Sequence, residues 1–405
     1  MSRAVPAPEG PLAGLRILDL SSVIMGPYAS HVLADQGADV IKVESRTGDV
    51  LRYYKPQRGQ DMSGMFLSLH RNKRSAVLDL KQPAGRQAFY RLVARSDVVL
   101  HNYRPAVAAR LGLSYEALRE HNETVVVCKA YGFGEGGPDA EKPAYDDVIQ
   151  SASGLADLYR RVHGTPQYAP SMLCDKIVGL MIASAILAAC YERAVRGVGA
   201  EVEVPMYETM VAFNLVENLS GSAFEPPLAP TGWSRNMSPL RKPFRTRDGY
   251  ACLLPYSDRN WQDFMDHVGR GEVMRDPRFS RLAERARHID DLYRIVEEVA
   301  PLHTTAEWLA FCDGHGIPAA PVNSLDGIWD EPQARAVGLF RSEVHPSEGP
   351  YRLWRSPVRY GGRPWQLRRH APRLGEHTAE VLREAGLGDD EIAALDGAES
   401  PSEVG

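Results

Sequence analysis

Apolar residues in the first part of the chain come in short runs separated by stretches of helical spacing. Arg16 to Leu20 (RILDL) reads as a buried strand. Gly26-Pro27 breaks it, and helical spacing follows to about Gln36. Asp39 to Glu44 (DVIKVE) is a second strand, so the joins are short and the unit is βαβ, with parallel pairing and a right-handed crossover. The alternation continues with strands at Ser75–Leu80, Asp97–His101 and Thr124–Lys129 and helices at Gln82–Arg95 and Tyr115–His121. This order predicts an α/β fold with a Rossmann-like open, doubly wound sheet. Ligands of such sheets sit beyond the carboxyl ends of the strands. Here those ends are Ser21–Gly26, Glu44–Asp49, Asn102–Pro105 and Lys129–Gly134.

A long apolar helix is predicted over Asp175–Arg196, stopped by Gly197 and Gly199. Ala200–Val204 reads as a strand and Met206–Asn218 as a helix. Gly221 to Gly232 (GSAFEPPLAPTG) then breaks all periodicity and reads as a linker. Beyond it Phe244–Thr246, Asp248-Gly249 and Tyr250–Leu254 give a hairpin signal. Helices follow at Arg259–Val268, Ile289–Val299 and Ala306–Cys312, the last with a capping box from Thr304 to Glu307. One more helix falls at Glu376–Glu384. The expected organisation is a large α/β domain over 1–220, a linker at 221–232, a smaller α+β domain over 233–325, and a return segment over 326–405 that completes the large domain.

Composition narrows the classes. The 405 residues exceed what one core usually serves, so two domains are expected. With 44% hydrophobic and 24% charged residues the chain reads as an ordinary globular protein. A net charge of -5 gives no basic excess for nucleic acid or an anionic membrane. The five cysteines are odd in number and lack CxxC spacing, and the histidines show no HxH or HExxH pattern. Neither a disulfide framework nor a metal site is expected, and a reducing cytoplasm fits best. The N-terminal MSRAVPAPEGPLAG lacks the apolar core of a leader. The longest apolar run, Ile177–Cys190, has 14 residues and reads as a buried helix rather than a membrane span.

Several clusters could carry chemistry. Gly132-x-Gly134-x-x-Gly137 matches the dinucleotide fingerprint by letters, but Pro138 and a polar stretch follow it. It reads as a flexible loop beside a site, with Gly136 inside it. Asn72-Lys73-Arg74 and Arg46-Thr47-Gly48-Asp49 could hold phosphates, although a solvated turn is the plainer reading of both. Asp175 opens the long helix, where Asp is a preferred N-cap, and a cap can also be an exposed functional carboxylate. Cys174 is a rival nucleophile without an assignable His-Asn pair, so a small core residue is the plainer reading.

Taken in order, the motifs resemble the class III CoA-transferase family, also called CaiB/BaiF, which includes formyl-CoA transferases and α-methylacyl-CoA racemases. The resemblance runs from Pro11–Leu20 and Gly26-Pro27 through Gly37–Glu44, Gly48-Asp49, Asn72–Ser75 and Leu78–Lys81. It continues through Asn102–Pro105, Tyr145-Asp146, Gln150 and Ser153-Gly154, then Phe244, Asp248-Gly249, Gly316–Val322 and Leu374–Thr378. It implies an enzyme whose catalytic aspartate is Asp175. It implies CoA contacts at Val23, Ile24, Met25, Asn72, Lys73, Arg74, Asn102, Tyr103 and Arg110, with Lys129 and Tyr131 near the pantetheine path. It also implies an interlinked homodimer and a CoA thioester as substrate, with no permanently bound cofactor. Two departures matter. Ile24 and Ser45 stand where formyl-CoA transferases carry Gln and Arg, which puts a formyl/oxalate pair in question. Tyr145 stands where the racemases carry a second acid/base His, which argues against racemisation.

The expected reaction moves CoA between carboxylic acids through an anhydride and a thioester on Asp175. A carboxylate (pKa ~4) leaves a tetrahedral intermediate more readily than a thiolate (~8.5), by roughly 6 kcal/mol. The site must oppose that bias, and amides of Gly132, Gly134, Gly136 and Gly137 are candidate oxyanion donors in a dry pocket lined by Tyr145. Arg235, Arg241 and Lys242 are candidates for a second substrate carboxylate, which favours dicarboxylic acids such as succinate. An acyl-CoA racemase and a catalytically silent CoA-binding protein are the alternative readings.

Overall fold

The computed structural model describes residues 10–279 and 281–397; residues 1–9, most of the stretch read above for a leader, lie outside these. Six strands form one parallel sheet: β1 (Arg16–Asp19), β2 (Asp39–Glu44), β3 (Lys73–Val77), β4 (Val98–His101), β5 (Val126–Lys129) and β6 (Ala200–Glu203). Their order is β3-β2-β1-β4-β5-β6, with Leu18 opposite both Ile41 and Val99. Strand order reverses between β1 and β4, so the crevice beyond their carboxyl ends is the expected ligand position. The helices in chain order are α1 (Met25–Asp35), α2 (Gly64–Leu69), α3 (Pro83–Val93), α4 (Pro105–Arg110), α5 (Tyr115–Arg119), α6 (Asp146–Ala152), α7 (Leu155–His163), α8 (Leu173–Arg196) and α9 (Met206–Asn218).

The chain divides into two units. The larger holds residues up to Gly154, Tyr168–Phe213 and Ala336 onward; the smaller holds Leu155–Gln167 and Asn214–Arg335. Residues 221–232 therefore lie within the smaller unit. That unit contains the antiparallel strands β7 (Phe244–Arg245), β8 (Tyr250–Leu253) and β9 (Ala319–Pro321). Around them run α10 (Asp258–His267), α11 (Leu282–Arg287), α12 (Ile289–Val299), α13 (Thr305–His315) and α14 (Pro332–Ala336). Phe264 stacks on Trp308 at 5.2 Å in its core, and Thr304 and Glu307 form the expected capping box. The return segment adds the hairpin β10 (Phe340–His345) and β11 (Gly349–Trp354), then α15 (Thr378–Glu384) and α16 (Asp389–Gly397).

Both faces of the parallel sheet are covered, as parallel strands require. Leu18, Ile41, Val99 and Val127 pack with Phe89 and Leu92 of α3 and Val381 and Leu382 of α15. Their neighbours Ile17, Val40, Val98 and Val126 alternate to the other face and are also fully buried.

The third strand begins two residues earlier than the apolar pattern predicts, because it opens on two buried charges. Lys73 is wholly buried; its Nζ reaches Asp19 at 3.3 Å, Ser30 Oγ at 2.7 Å and the Pro27 carbonyl at 3.0 Å. Arg74 pairs with Asp39, Glu380 and Glu384. Asn72 adopts a left-handed conformation, donates to Asp35 and accepts from the amides of Arg368 and Arg369. These three side chains are buried and engaged inside the fold, not open to a CoA phosphate in this arrangement. The outer edge of β3 is closed by the return segment: Asn72 N donates to Arg369 O, Val77 N to Thr378 Oγ1, and His377 N to Ser75 O.

Removing one partner of a buried pair typically costs about 3–5 kcal/mol. Lys73→Met should therefore lower the urea midpoint at unchanged slope. An unchanged midpoint would return Lys73 to the pool of ligand contacts.

Candidate active site

Helix α8 begins at Leu173, and its N-cap, Met172, makes no side-chain capping bond. Asp175 is thus the third residue of the helix, not its cap. Its own amide is held instead by a second carboxylate: Asp175 N donates to Asp146 Oδ1 at 2.9 Å. Asp146 is the first residue of α6 and only 7% exposed. Its other oxygen accepts from Gln150 Nε2 at 2.6 Å, and Gln150 Oε1 accepts from Ala169 N at 2.8 Å. One turn of α6 thus fastens both the loop before α8 and the first turn of α8.

Burial, then the adjacent Asp146, raise Asp175 to about 7. Burial, followed by the same two carboxylates, pushes the Cys174 thiol up to about 12. Cys174 therefore stays protonated and is the buried packing residue its neighbours suggest, while Asp175 ionises in the physiological range.

The next turn of α8 lies against the start of α1. A Cβ at Gly179 would fall 2.8 Å from the Met25 carbonyl and 3.1 Å from the Tyr28 ring, so only glycine permits this approach. Val23 stands just before α1 with φ +70°, a rare conformation for a β-branched residue. Its amide donates to Asp49 Oδ1 at 3.2 Å, and Asp49 pairs with buried Lys42 at 2.9 Å. Ser22 and Asn102 exchange two 3.0 Å bonds, backbone to side-chain amide, across the β1–β4 switch point. Ile24, at the N-cap of α1, makes no side-chain capping bond, and among the described residues no carboxylate is bonded to the Met25 or Gly26 amides.

The remaining predicted residues scatter in role. Ile24 and Met25 are buried at the α1 entry, and Asn102 is spent on Ser22 rather than open to a ligand. Tyr103 is partly buried against the sheet core, and Arg110 is exposed at the end of α4. Lys129 pairs with Glu135 and Glu201 at 2.9 and 2.7 Å, and the Tyr131 hydroxyl donates to Glu135. Tyr145 is 67% exposed immediately before α6.

The glycine loop differs from its expected part. Gly134 N donates to Glu208 and Glu135 N to Glu203, while Gly137 N turns back to Gly134 O. Amides holding carboxylates cannot also serve an oxyanion. Gly132 is packed against Ala144, and Gly136 is exposed with φ +84°. Arg235, in the smaller unit, lies beside the Trp233 and Tyr256 rings and donates to the Tyr293 hydroxyl at 3.4 Å.

Sequence reasoning named Asp146 and Gln150 only as letters of a motif and gave them no role. The aspartate pair becomes visible only once α6 and α8 are placed. The phosphate candidates also move. A cleft of 70 Å³ at the carboxyl end of β3 is lined by Arg46, Val77, Asp79, Gln82 and Gly85, where Lys81 is exposed. A larger cavity of 890 Å³ lies along the return segment, with Arg341, His345, Trp365 and Arg368 in its wall, away from any residue named above for catalysis.

The family model for CoA-transferase family III matches residues 12–378. The chain belongs to CoA-transferase family III. A succinate–glutarate CoA-transferase of Agrobacterium fabrum is 32% identical over 389 residues, 94% of this chain and 97% of that protein. A formyl-CoA:oxalate CoA-transferase of Escherichia coli is 29% identical, over 95% of this chain and 98% of its own length. The crystal structure of a CaiB/BaiF family protein from Brucella suis superposes with a TM-score of 0.78 at 30% identity, covering 93% of this chain and 99% of that one.

A raised aspartate gives this family member an unusual stability profile. Between its ordinary value of 3.8 and about 7, the folded state binds more protons at Asp175 than the unfolded chain does. Stability from this group therefore falls as pH rises through that window, and the full cost is present above pH 7. Asp175→Asn removes it. Above pH 7 the variant should be more stable than its parent by on the order of 2–4 kcal/mol, and near pH 4 the two should match. Urea titrations at both pH values decide this; a variant less stable than the parent at high pH would contradict it.

Proposed function

We propose that this enzyme moves CoA from an acyl-CoA donor to a free carboxylic acid, with Asp175 as the covalent carrier. The observation that carries the reading is a desolvated carboxylate, raised to about 7, held one helical turn from the uncapped start of α1. An Asp175 oxygen attacks the thioester carbon; the C–S bond breaks and the electron pair leaves on sulfur, giving an aspartyl anhydride. The thiolate then attacks the Asp175 carbonyl carbon, forming an aspartyl-CoA thioester and releasing the donor acid. An acceptor carboxylate attacks that carbon in turn and frees the thiolate. The thiolate takes the acyl group from the new anhydride, and Asp175 is restored. No proton need move and no resident cofactor takes part.

The amides opening α1, rather than those of the glycine loop, are the donors for the oxyanion. They stand at the positive end of a helix and no side chain caps them. CoA is assigned to the carboxyl edge of the sheet, with Val23–Met25 near the thioester and Tyr103, Lys129 and Tyr131 along its path. Exposed Arg110 and Lys81 and the cleft at Arg46 replace Asn72, Lys73 and Arg74 as phosphate partners. Dicarboxylic acids are the proposed acceptors, succinate first. The relatives' names pair CoA with succinate, glutarate and oxalate.

A homodimer is the proposed assembly. Opposite its buried face, α8 exposes Leu180, Met181, Tyr191 and Val195. An apolar stripe of this length fits a second copy of the chain. By length and composition α8 also meets the size of a membrane span, but one side of it is spent on α1. Sedimentation velocity at micromolar concentration should give a dimer, and Leu180→Glu should weaken it. A monomeric parent would sink the assembly.

The test of the chemistry is at Asp175. Both Asp175→Asn and Asp175→Ala should lose transfer from succinyl-CoA by at least about a thousandfold while CoA binding is kept. Hydroxylamine added during turnover should leave a hydroxamate on the peptide containing Asp175, read by mass spectrometry. Near-normal turnover in Asp175→Asn, with no modified peptide, would remove the basis of the proposal.

A further inference from the structure

We propose that Asp146 is a positioning residue: its fixed carboxylate holds the Asp175 amide, and its charge makes Asp175 a stronger nucleophile and a slower leaving group than a solvated aspartate. The inference rests on Asp175 being the carrier, and it adds how the fold makes a carboxylate fit for that work.

The geometry is over-determined. Asp146 is buried, its two oxygens are each fixed by one bond, at 2.9 and 2.6 Å, and fully buried Gln150 is itself fastened to Ala169. Both bonds to Asp146 come from N–H donors, so both of its oxygens accept. Half-buried Asp175 stands next to that carboxylate, its amide held by it.

Other charges near α8 are engaged elsewhere. On α1, His31 and Asp35 face each other, and Arg71 completes that group. Lys129 of β5 is tied to Glu135 and Glu201, and Glu203 of β6 to a loop amide. Lys176, the next residue on α8, donates to Ser171 Oγ at 2.5 Å, and Asp147 of α6 is exposed. Tyr28 of α1 contributes a ring edge near Gly179. Burial and Asp146 are the two influences that move Asp175.

The consequence is chemical matching. An ordinary aspartate and a thiolate differ by about 4.5 units as leaving groups, so a tetrahedral intermediate would almost always collapse back. With Asp175 near 7 the difference falls to about 1.5 units. The same side chain can then be acylated by a thioester and released again without either step becoming one-way. Asp146 never touches the reacting atoms.

The experiment compares the pH–rate profile of kcat/KM for succinyl-CoA transfer in the parent, Asp146→Asn and Gln150→Ala. The parent should show an acid limb near pH 7. Asp146→Asn keeps an oxygen for the Asp175 amide but loses the charge; its limb should move down by about one unit or more, and its plateau should fall at least about tenfold. Gln150→Ala keeps the charge but loosens it, so its plateau should fall with the limb in place. A limb in Asp146→Asn within about 0.3 unit of the parent overturns the proposal. Should that variant not fold, carboxyl 13C resonances of aspartate-labelled parent protein answer the same question. The Asp175 signal, assigned by its loss in Asp175→Asn, should titrate at about pH 6 or above, and a lower midpoint overturns the proposal. That titration is read on the resting protein, so it stands apart from the hydroxamate trap, whose failure would instead remove Asp175 as carrier.

Discussion

A charge buried away from water must meet its counter-charge, and the carboxyl side of this sheet is organised by that constraint. Asp19 ends β1 and meets Lys73 from β3; Lys42 of β2 meets Asp49; Glu44 of β2 meets fully buried Arg52 at 2.7 Å. Each pair joins a strand to another strand or to a loop. Asp49 then reaches the Val23 amide, and Asp19 accepts from both Ser21 and Ser30. The entry to α1 is therefore held from beneath by ionic ties, which lets Val23 keep a conformation that it would not hold alone. Such pairs add less net stability than their number suggests, since each ion first gives up its water. What they fix is shape.

Against that background Asp146 and Asp175 stand out. Elsewhere on this side of the sheet buried carboxylates are matched with Lys or Arg, but these two are set beside each other and joined through a backbone amide. The arrangement is unfavourable to folding above neutral pH and favourable to a carboxylate that must react. The stability lost at this one point is supplied by the two-sided core around it.

Much of the frame was legible in the letters. The second strand, Asp39–Glu44, and the helices Met206–Asn218 and Ile289–Val299 fall where periodicity puts them. Where the reading slipped, the cause was charge inside the fold. Lys73 and Arg74 read as a basic turn because their partners, Asp19 and Glu384, lie 54 and 310 residues away. The short helix from Asp146 gave no periodic signal, and without it Asp175 read as a cap. The glycine loop was found, but not the two glutamates that occupy its amides, since they arrive from β6 and α9. Ionic and hydrogen-bond partners distant in sequence have no local signature, whereas apolar spacing does.

The closure of β3 by the return segment bears on how the chain comes off the ribosome. Strands β1 to β5 are complete once residue 129 has been made, yet the outer edge of β3 stays without partners until residues 369–378 appear. At ~5–20 residues per second that interval is roughly 10–50 seconds. Throughout it, a parallel sheet presents an open strand to other nascent chains, and pairing there would compete with the native end. Arg74 has Asp39 by then but still lacks Glu380 and Glu384, and surplus positive charge on an open edge is a poor template for another strand. The arginine that locks the finished edge thus discourages the wrong neighbour while the right one is still being synthesised.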